Sequence, residues 1–318
     1  MESKMFVVVN STIIKGGDSC NGLLYSEDCG KTWNQSNIDT GDFDCLINIG
    51  NTIIAGSWSN RGLYYSEDNG KTWNRSKTKY GYFCTLVVIG NTVIAGSDND
   101  EGLLYSEDDG KTWKESNINT GCFFSLITSG STVIAGSYDN GLYYSEDNGK
   151  TWKQSNITSG NFYCLTVIGS TVIAGSNSDG LYYSKNNGKT WKKSNITSGY
   201  FRCLAATDST VIAGSLSGKG LYYSEDNGKT WNQSNITSKN FRCLIVIGNT
   251  VIAGSDSYRG LYYSEDKGKT WHYSNVKIGD FICLTISDST VIADSRYDKS
   301  LLYSEDKGKT LKQSNYIK

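Results

Sequence analysis

Proline is missing from the 318 residues, histidine occurs once, methionine twice and arginine six times. A single histidine excludes a His-Glu-x-x-His zinc site, and no Ser-His-Asp set, Cys-x-x-Cys pair or phosphate-cradling glycine loop is present. His272 follows a repeated tryptophan, at a position that other copies fill with Asn or Lys, and is expected as a solvated strand residue. No stretch approaches the ~20 apolar residues of a membrane span, and the run Phe6-Val7-Val8-Val9 is too short for a signal-peptide core. The expectation is a cytoplasmic protein without a membrane partner. Acidic and basic residues are interspersed at 32 and 31, which leaves a net charge of −1 and no overall pull toward nucleic acid. The acidic turns lack a ligand-rich spacing, so neither a metal nor a cofactor is expected.

What the chain has is an eight-residue phrase that returns from Ser26, Ser66, Ser106, Ser145, Ser184, Ser224, Ser264 and Ser304, at intervals of 39 or 40 residues. Seven copies read S-x-x-x-G-K-T-W, and the last ends in Leu311. Repetition at ~40 residues signals stacked units, none of which can bury its apolar face alone. Each unit holds four short runs rich in β-branched and aromatic residues, separated by Gly, Asn, Asp and Ser turns. Runs such as Leu181 to Tyr183 are apolar on consecutive positions, as strands covered on both faces are. This pattern predicts an all-β chain, an eight-bladed β-propeller of four-stranded antiparallel blades forming one domain over residues 1–318. The blades fall near 1–40, 41–80, 81–120, 121–159, 160–198, 199–238, 239–278 and 279–318. Residues 5–37 and 280–316 each supply four strands, so the ring is expected to close face to face, without a shared strand. Lys15, Asp294 and Leu311 break the consensus in the outer blades and mark the closing seam as the expected weak interface.

Five of the nine cysteines, Cys45, Cys164, Cys203, Cys243 and Cys283, occupy one slot two residues after a Phe. Equivalent slots in neighbouring blades are expected to lie beyond the ~7 Å Cα separation of a disulfide, which makes them small buried hydrophobes. Sequons such as Asn156-Ile157-Thr158 are read as by-products of the repeat.

The phrase S-x-D-x-G-x-T-W, with its acid at Asp28, Asp68, Asp108, Asp147, Asp226, Asp266 and Asp306 and with Asn186 in the fifth copy, resembles the Asp-box, or BNR repeat, of sialidases, sortilin-type receptors, some glycoside hydrolases and photosystem assembly factors. Ser and Asp can bond the backbone of a tight turn, Gly supplies a positive φ, and Trp caps the core. The resemblance implies a structural hairpin between the third and fourth strands of each blade, on the side away from the active site of the family's enzymes. A sialidase also needs an arginine triad, usually with one arginine before the first box, and Phe6 to Asn21 contains none.

Where the copies differ, individual function can reside. One variable region is the loop between second and third strands, holding Trp58, Arg61, Tyr138, Tyr258, Arg259, Arg296 and Tyr297; the other flanks the near-invariant Phe opening the first strand, holding Asp42, Asp44, Tyr82, Tyr163, Tyr200, Arg202 and Arg242. In an up-and-down blade both regions project from one face, whereas the box turns project from the other and hardly vary. Loops on a rigid scaffold are where binding usually resides. Blades 2 to 4 bring Asp42, Asp44, Asp98, Asp100, Glu101 and Asp139 to that face, offset by Arg61, and blades 6 to 8 bring Arg202, Lys219, Lys239, Arg242, Arg259, Arg296 and Lys299, offset by Asp256, Asp280 and Asp298. Aromatic and arginine side chains there suit a macromolecular partner. The expectation is a monomeric, non-enzymatic binding or assembly scaffold with a protein partner. The alternative is a glycan-binding or sialidase-like propeller, in which Arg202, Arg242 and Arg259 clamp an anionic sugar and Asp42 or Asp44 acts as acid or nucleophile.

Overall fold

A computed structural model describes residues 5–17, 21–78, 80–256, 260–277, 279–295 and 301–316. The chain is all-β, with eight antiparallel sheets formed in sequence order as the blades of a β-propeller, and none of the described residues is helical. Among them no helix is long and apolar enough to cross a membrane. The fifth blade is representative, running Phe162–Ile168, Thr171–Ser176, Leu181–Ser184 and Lys192–Lys193. The second strand, Thr-Val-Ile-Ala-Gly-Ser, is buried along its whole length, as its unbroken apolar pattern requires, and the two-residue fourth strand is exposed. The first sheet differs from the others. A fifth strand, Asn315–Tyr316, lies beside Thr32–Gln35, which corrects the expectation that no strand is shared between the chain's ends.

Two compact units share the chain, the first holding blades 1 to 4 with Asn187–Lys189 and Tyr316, the second holding the remainder. Within each unit the first strands of adjacent blades lie side by side. The apolar core is a series of layers between blades. Between blades 6 and 7, for example, Ile212 and Leu221 of one sheet meet Phe241, Val251 and Trp271 of the next. The box tryptophan closes this layer, and its indole N–H donates to the carbonyl of the box glycine, as Trp271 does to Gly268 at 2.9 Å. Burying an indole of ~200 Å² stabilises by about 5 kcal/mol at 25 cal/mol per Å². Leu311 keeps the burial in blade 8 and lacks the N–H.

A second device joins blades. After the fourth strand, the side chain of Asn235 donates to the Trp271 carbonyl at 3.1 Å and accepts from the Trp271 amide at 2.9 Å. Asn37, Asn117, Asn195 and Asn275 clasp Trp73, Trp152, Trp231 and Leu311 in the same two-pronged way. Asn195 and Asn235 are sequon residues whose amides are committed to this clasp, which gives the repeated Asn a structural reason. Lys77 stands in the Asn slot after blade 2. There the backbone of Lys77 bridges to Thr112, and Trp113 is left partly exposed.

Candidate functional site

In every blade from the second to the eighth, the first strand carries a β-bulge at one register position. Phe43 pairs with Ser57 and Cys45 with Gly56, which leaves Asp44 as the extra residue. The same shift makes Cys84, Phe124, Tyr163, Arg202, Arg242 and Ile282 the extra residues of their blades. The preceding Phe is fixed. Phe43 is fully buried and meets Tyr64 edge-on at 5.5 Å, and Phe123, Phe162, Phe201 and Phe241 repeat that contact. A bulge re-aims a side chain and releases its position from the ladder. The half-buried bulge position is therefore where the copies vary most in chemistry, from acid through thiol and ring to guanidinium.

The variable loop lies against this position. The amides of Trp58, Asp98 and Tyr138 donate to the carbonyls of Asp42, Tyr82 and Cys122 at 2.9 Å each. In the second unit Asn177, Leu216 and Asp256 do the same with Asn161, Tyr200 and Asn240. The two variable regions are thus hydrogen-bonded to one another in blades 2 to 7.

On the first unit Trp58 is 47% exposed, and its indole donates to Asp98 of the next blade. Tyr138 is 42% exposed and packs edge-on against the bulged Phe124 at 5.9 Å. Arg61 is drawn down onto Thr40, 3.0 Å from its carbonyl. Asp100 accepts from the Gly121 amide and Glu101 from the Ser97 hydroxyl, so the acidic loop of blade 3 is partly engaged in its own folding. Sequence reasoning missed Tyr80. It is 65% exposed with the Arg75 guanidinium 3.9 Å above its ring, and its position just before the Phe-opening strand was the available signal.

On the second unit, Tyr163 and Tyr200 meet at 5.4 Å, and Arg202 lies 4.9 Å above the Tyr163 ring. Arg242 is paired with Asp256 of its own blade, Nε to Oδ2 at 3.1 Å. The two arginines expected to act together therefore sit at equivalent bulges and face different partners, a ring and a carboxylate. Lys239 holds φ +153° at a position where six other blades have glycine, and its ammonium bonds the hydroxyls of Tyr262 and Tyr273. Tyr258, Arg259, Arg296 and Tyr297 lie outside the described residues.

Within each blade the box turn lies at the end opposite the loop between the second and third strands. Asp68 accepts from the Thr72 amide at 2.8 Å and the Thr72 hydroxyl at 2.6 Å, and Ser66 bonds both Asp68 and the Gly70 amide. Asp28, Asp108, Asp147, Asp226, Asp266 and Asp306 repeat this set with Ser26, Ser106, Ser145, Ser224, Ser264 and Ser304. Burial pushes these carboxyls up, but the bonds from threonine and serine outweigh it and hold all seven below their ordinary value. In the fifth box Ser184 donates to Asn186, whose amide oxygen and nitrogen take over both bonds to Thr190. The residue before each box glycine is left-handed as well, from Cys29 at +57° to Lys307 at +59°, a demand that only the frequent Asn and Asp at this position advertise. Burial drives the Cys203 thiol up to about 12, and this thiol donates to the Phe241 carbonyl of the next blade, as Cys45 does to Phe83. No group of three or more His, Cys, Asp or Glu able to hold a metal occurs among the described residues.

The family model described as "BNR/Asp-box repeat" matches residues 64–75, 143–154, 182–193, 222–233 and 262–273. Those segments run from the third to the fourth strand of blades 2, 4, 5, 6 and 7. Five Asp-box repeats thus lie on this eight-bladed β-propeller. Among solved structures, the computationally designed Ika8 protein is similar over 95% of both chains at 10% identity and a TM-score of 0.75. YCF48 bound to a D1 peptide is similar over 80% of this chain and 88% of that one, at 18% identity and a TM-score of 0.60. YCF48 from Cyanidioschyzon merolae covers 82% and 94% at 16% identity, with the same TM-score. At these identities the likeness is one of fold. No curated protein matches the Asp-box propeller in sequence.

Proposed function

We propose that the chain is a non-enzymatic binding or assembly scaffold that holds a protein partner on the face formed by its bulges and second loops. The observation that carries this reading is the coupling of the two variable regions. In each unit they are hydrogen-bonded side by side, with the variable residue lifted out of the ladder at the same bulge. Exposed Trp58, Tyr80 and Tyr138 give the first unit aromatic anchors, and the Tyr163–Tyr200–Arg202 group gives the second an aromatic and cationic one. A propeller of this fold, YCF48, is known with a bound peptide, which supports a polypeptide as ligand. The box aspartates are engaged in their own turns, which supports a structural role for them.

Affinity capture followed by mass spectrometry tests the reading. A variant carrying Trp58→Ala, Tyr138→Ala and Arg202→Glu is expected to lose partners that the parent retains while keeping its thermal transition. Equal capture by both proteins refutes it. Turnover of a fluorogenic sialoside, abolished by Arg202→Glu, would replace the scaffold with an enzyme.

A further inference from the structure

The fifth box departs from its siblings in charge. It reads Ser184-Lys185-Asn186-Asn187-Gly188-Lys189-Thr190-Trp191, with Lys185 where the seven other copies have glutamate. In six of those copies the glutamate bonds the lysine of the next box. Glu107 receives Lys114 of its own blade at 2.9 Å on one oxygen and Lys150 of the next box at 2.7 Å on the other. Those two bonds, that of Lys114 first, lower the Glu107 carboxyl to about 2. Glu146 is held likewise by Lys153 and Lys189, at 3.2 and 2.5 Å.

The fifth blade keeps both lysines and lacks the carboxylate. Lys192 pairs in register with Tyr183, as Lys114 does with Tyr105 and Lys153 with Tyr144. Lys229 offers its carbonyl to the Asn195 amide at 3.3 Å, as Lys150 does to Asn117 at 3.4 Å. The backbone therefore aims these two lysines at the place that Glu107 fills elsewhere, and a third ammonium, Lys185, starts from that place. All three are exposed, and none has an ion pair among the described residues. The turn itself is unaffected, because Asn186 reproduces the bonds of the absent aspartate. Three like charges thus stand on positions that surround a carboxylate in blades 3 and 4, an excess of positive charge that a carboxylate from outside would balance.

We propose that Lys185, Lys192 and Lys229 form a carboxylate-binding site on the box side of the fifth blade, taking an acidic side chain of a partner polypeptide where other blades insert their own glutamate. An acidic side chain is favoured because the equivalent lysines of blades 3 and 4 each take one of the two oxygens of a glutamate side chain. The site lies on the face opposite the proposed scaffold surface and stands independently of that reading.

The test is fluorescence-anisotropy binding of a labelled hexaglutamate peptide to the full chain at low salt. Lys185→Glu, which restores the repeat, is expected to weaken binding at least tenfold, whereas the same charge change at Lys114 leaves it within twofold. Equal losses in the two variants would reduce the effect to net charge and overturn the site. Inorganic phosphate at millimolar concentration is expected to displace the peptide only weakly. Full displacement, or tighter binding of a hexamer of single-stranded RNA, would overturn the assignment to an acidic polypeptide. A thermal transition of Lys185→Glu at or above that of the parent confirms that the loss is not unfolding, and a lower one contradicts the like-charge repulsion on which the site rests.

Discussion

Replacing Asn235 by leucine removes both prongs of the clasp between blades 6 and 7, the bonds to the Trp271 carbonyl and amide at 3.1 and 2.9 Å. The Trp271 ring is 3% exposed and keeps its packing, so the loss is confined to two partly buried hydrogen bonds. At about 1 kcal/mol net for each bond, the junction should weaken by about 2 kcal/mol. The Trp271 amide is itself one of the bonded groups, which makes its hydrogen exchange the direct assay. If the amide exchanges through opening of this junction, 2 kcal/mol corresponds to about a 30-fold faster rate. Asn235→Asp retains an acceptor for the amide and loses the donor to the carbonyl, so its acceleration should fall between parent and leucine variant. An unchanged rate in Asn235→Leu, or an aspartate variant as fast as the leucine one, would refute the clasp as the element joining blades.

Lys77→Asn should install the missing clasp after blade 2, bury Trp113 further and raise stability by about 1 kcal/mol, read as reduced iodide quenching of tryptophan fluorescence and a higher midpoint in urea. Lys307→Gly relieves a left-handed φ of +59° and should stabilise by up to about 1 kcal/mol, whereas Lys307→Val should destabilise. The seven box aspartates have folded pKa values below their ordinary one, so their contribution is complete above about pH 4 and is lost as pH falls through the lower folded values. Asp226→Asn with Asp266→Asn, which copies the natural Asn186 into two further boxes, should therefore fold and show a shallower loss of stability below pH 4; an unchanged slope would refute this assignment. Native Cys203, with its pKa at about 12, should react with iodoacetamide at pH 8 at least a hundredfold more slowly than in the unfolded chain.

The blade architecture was legible because the repeat imposes it. Turn residues return at fixed offsets, and strands such as Thr171–Ser176 carry no polar alternation. The fifth strand of the first sheet was not legible, since Asn315–Tyr316 is only two residues long and follows a unit already complete. That the two variable regions lie side by side within a blade could be read from the order of strands. That Asp44, Arg202 and their counterparts sit on bulges could not, because a bulge is a register shift against the second strand and leaves no mark in either strand alone. Arg242 and Arg202 look identical in the sequence phrase Phe-Arg-Cys-Leu. Their surroundings differ through Asp256 and Tyr163, residues 14 and 39 positions away. Lys185 was overlooked because the glutamate it replaces shows its purpose only when the lysine of the next box is seen on it.

If one face of the scaffold, carried by the bulges and second loops, holds the partner, that face must lose solvent when the partner binds. Hydrogen exchange with mass spectrometry on the purified complex measures this without perturbing the chain. Peptides spanning 40–45, 57–62, 137–141 and 199–203 should gain protection, with the box turns unchanged outside the fifth blade. Protection confined to the box turns, with the bulge peptides exchanging as in the free chain, would contradict the assignment of that face.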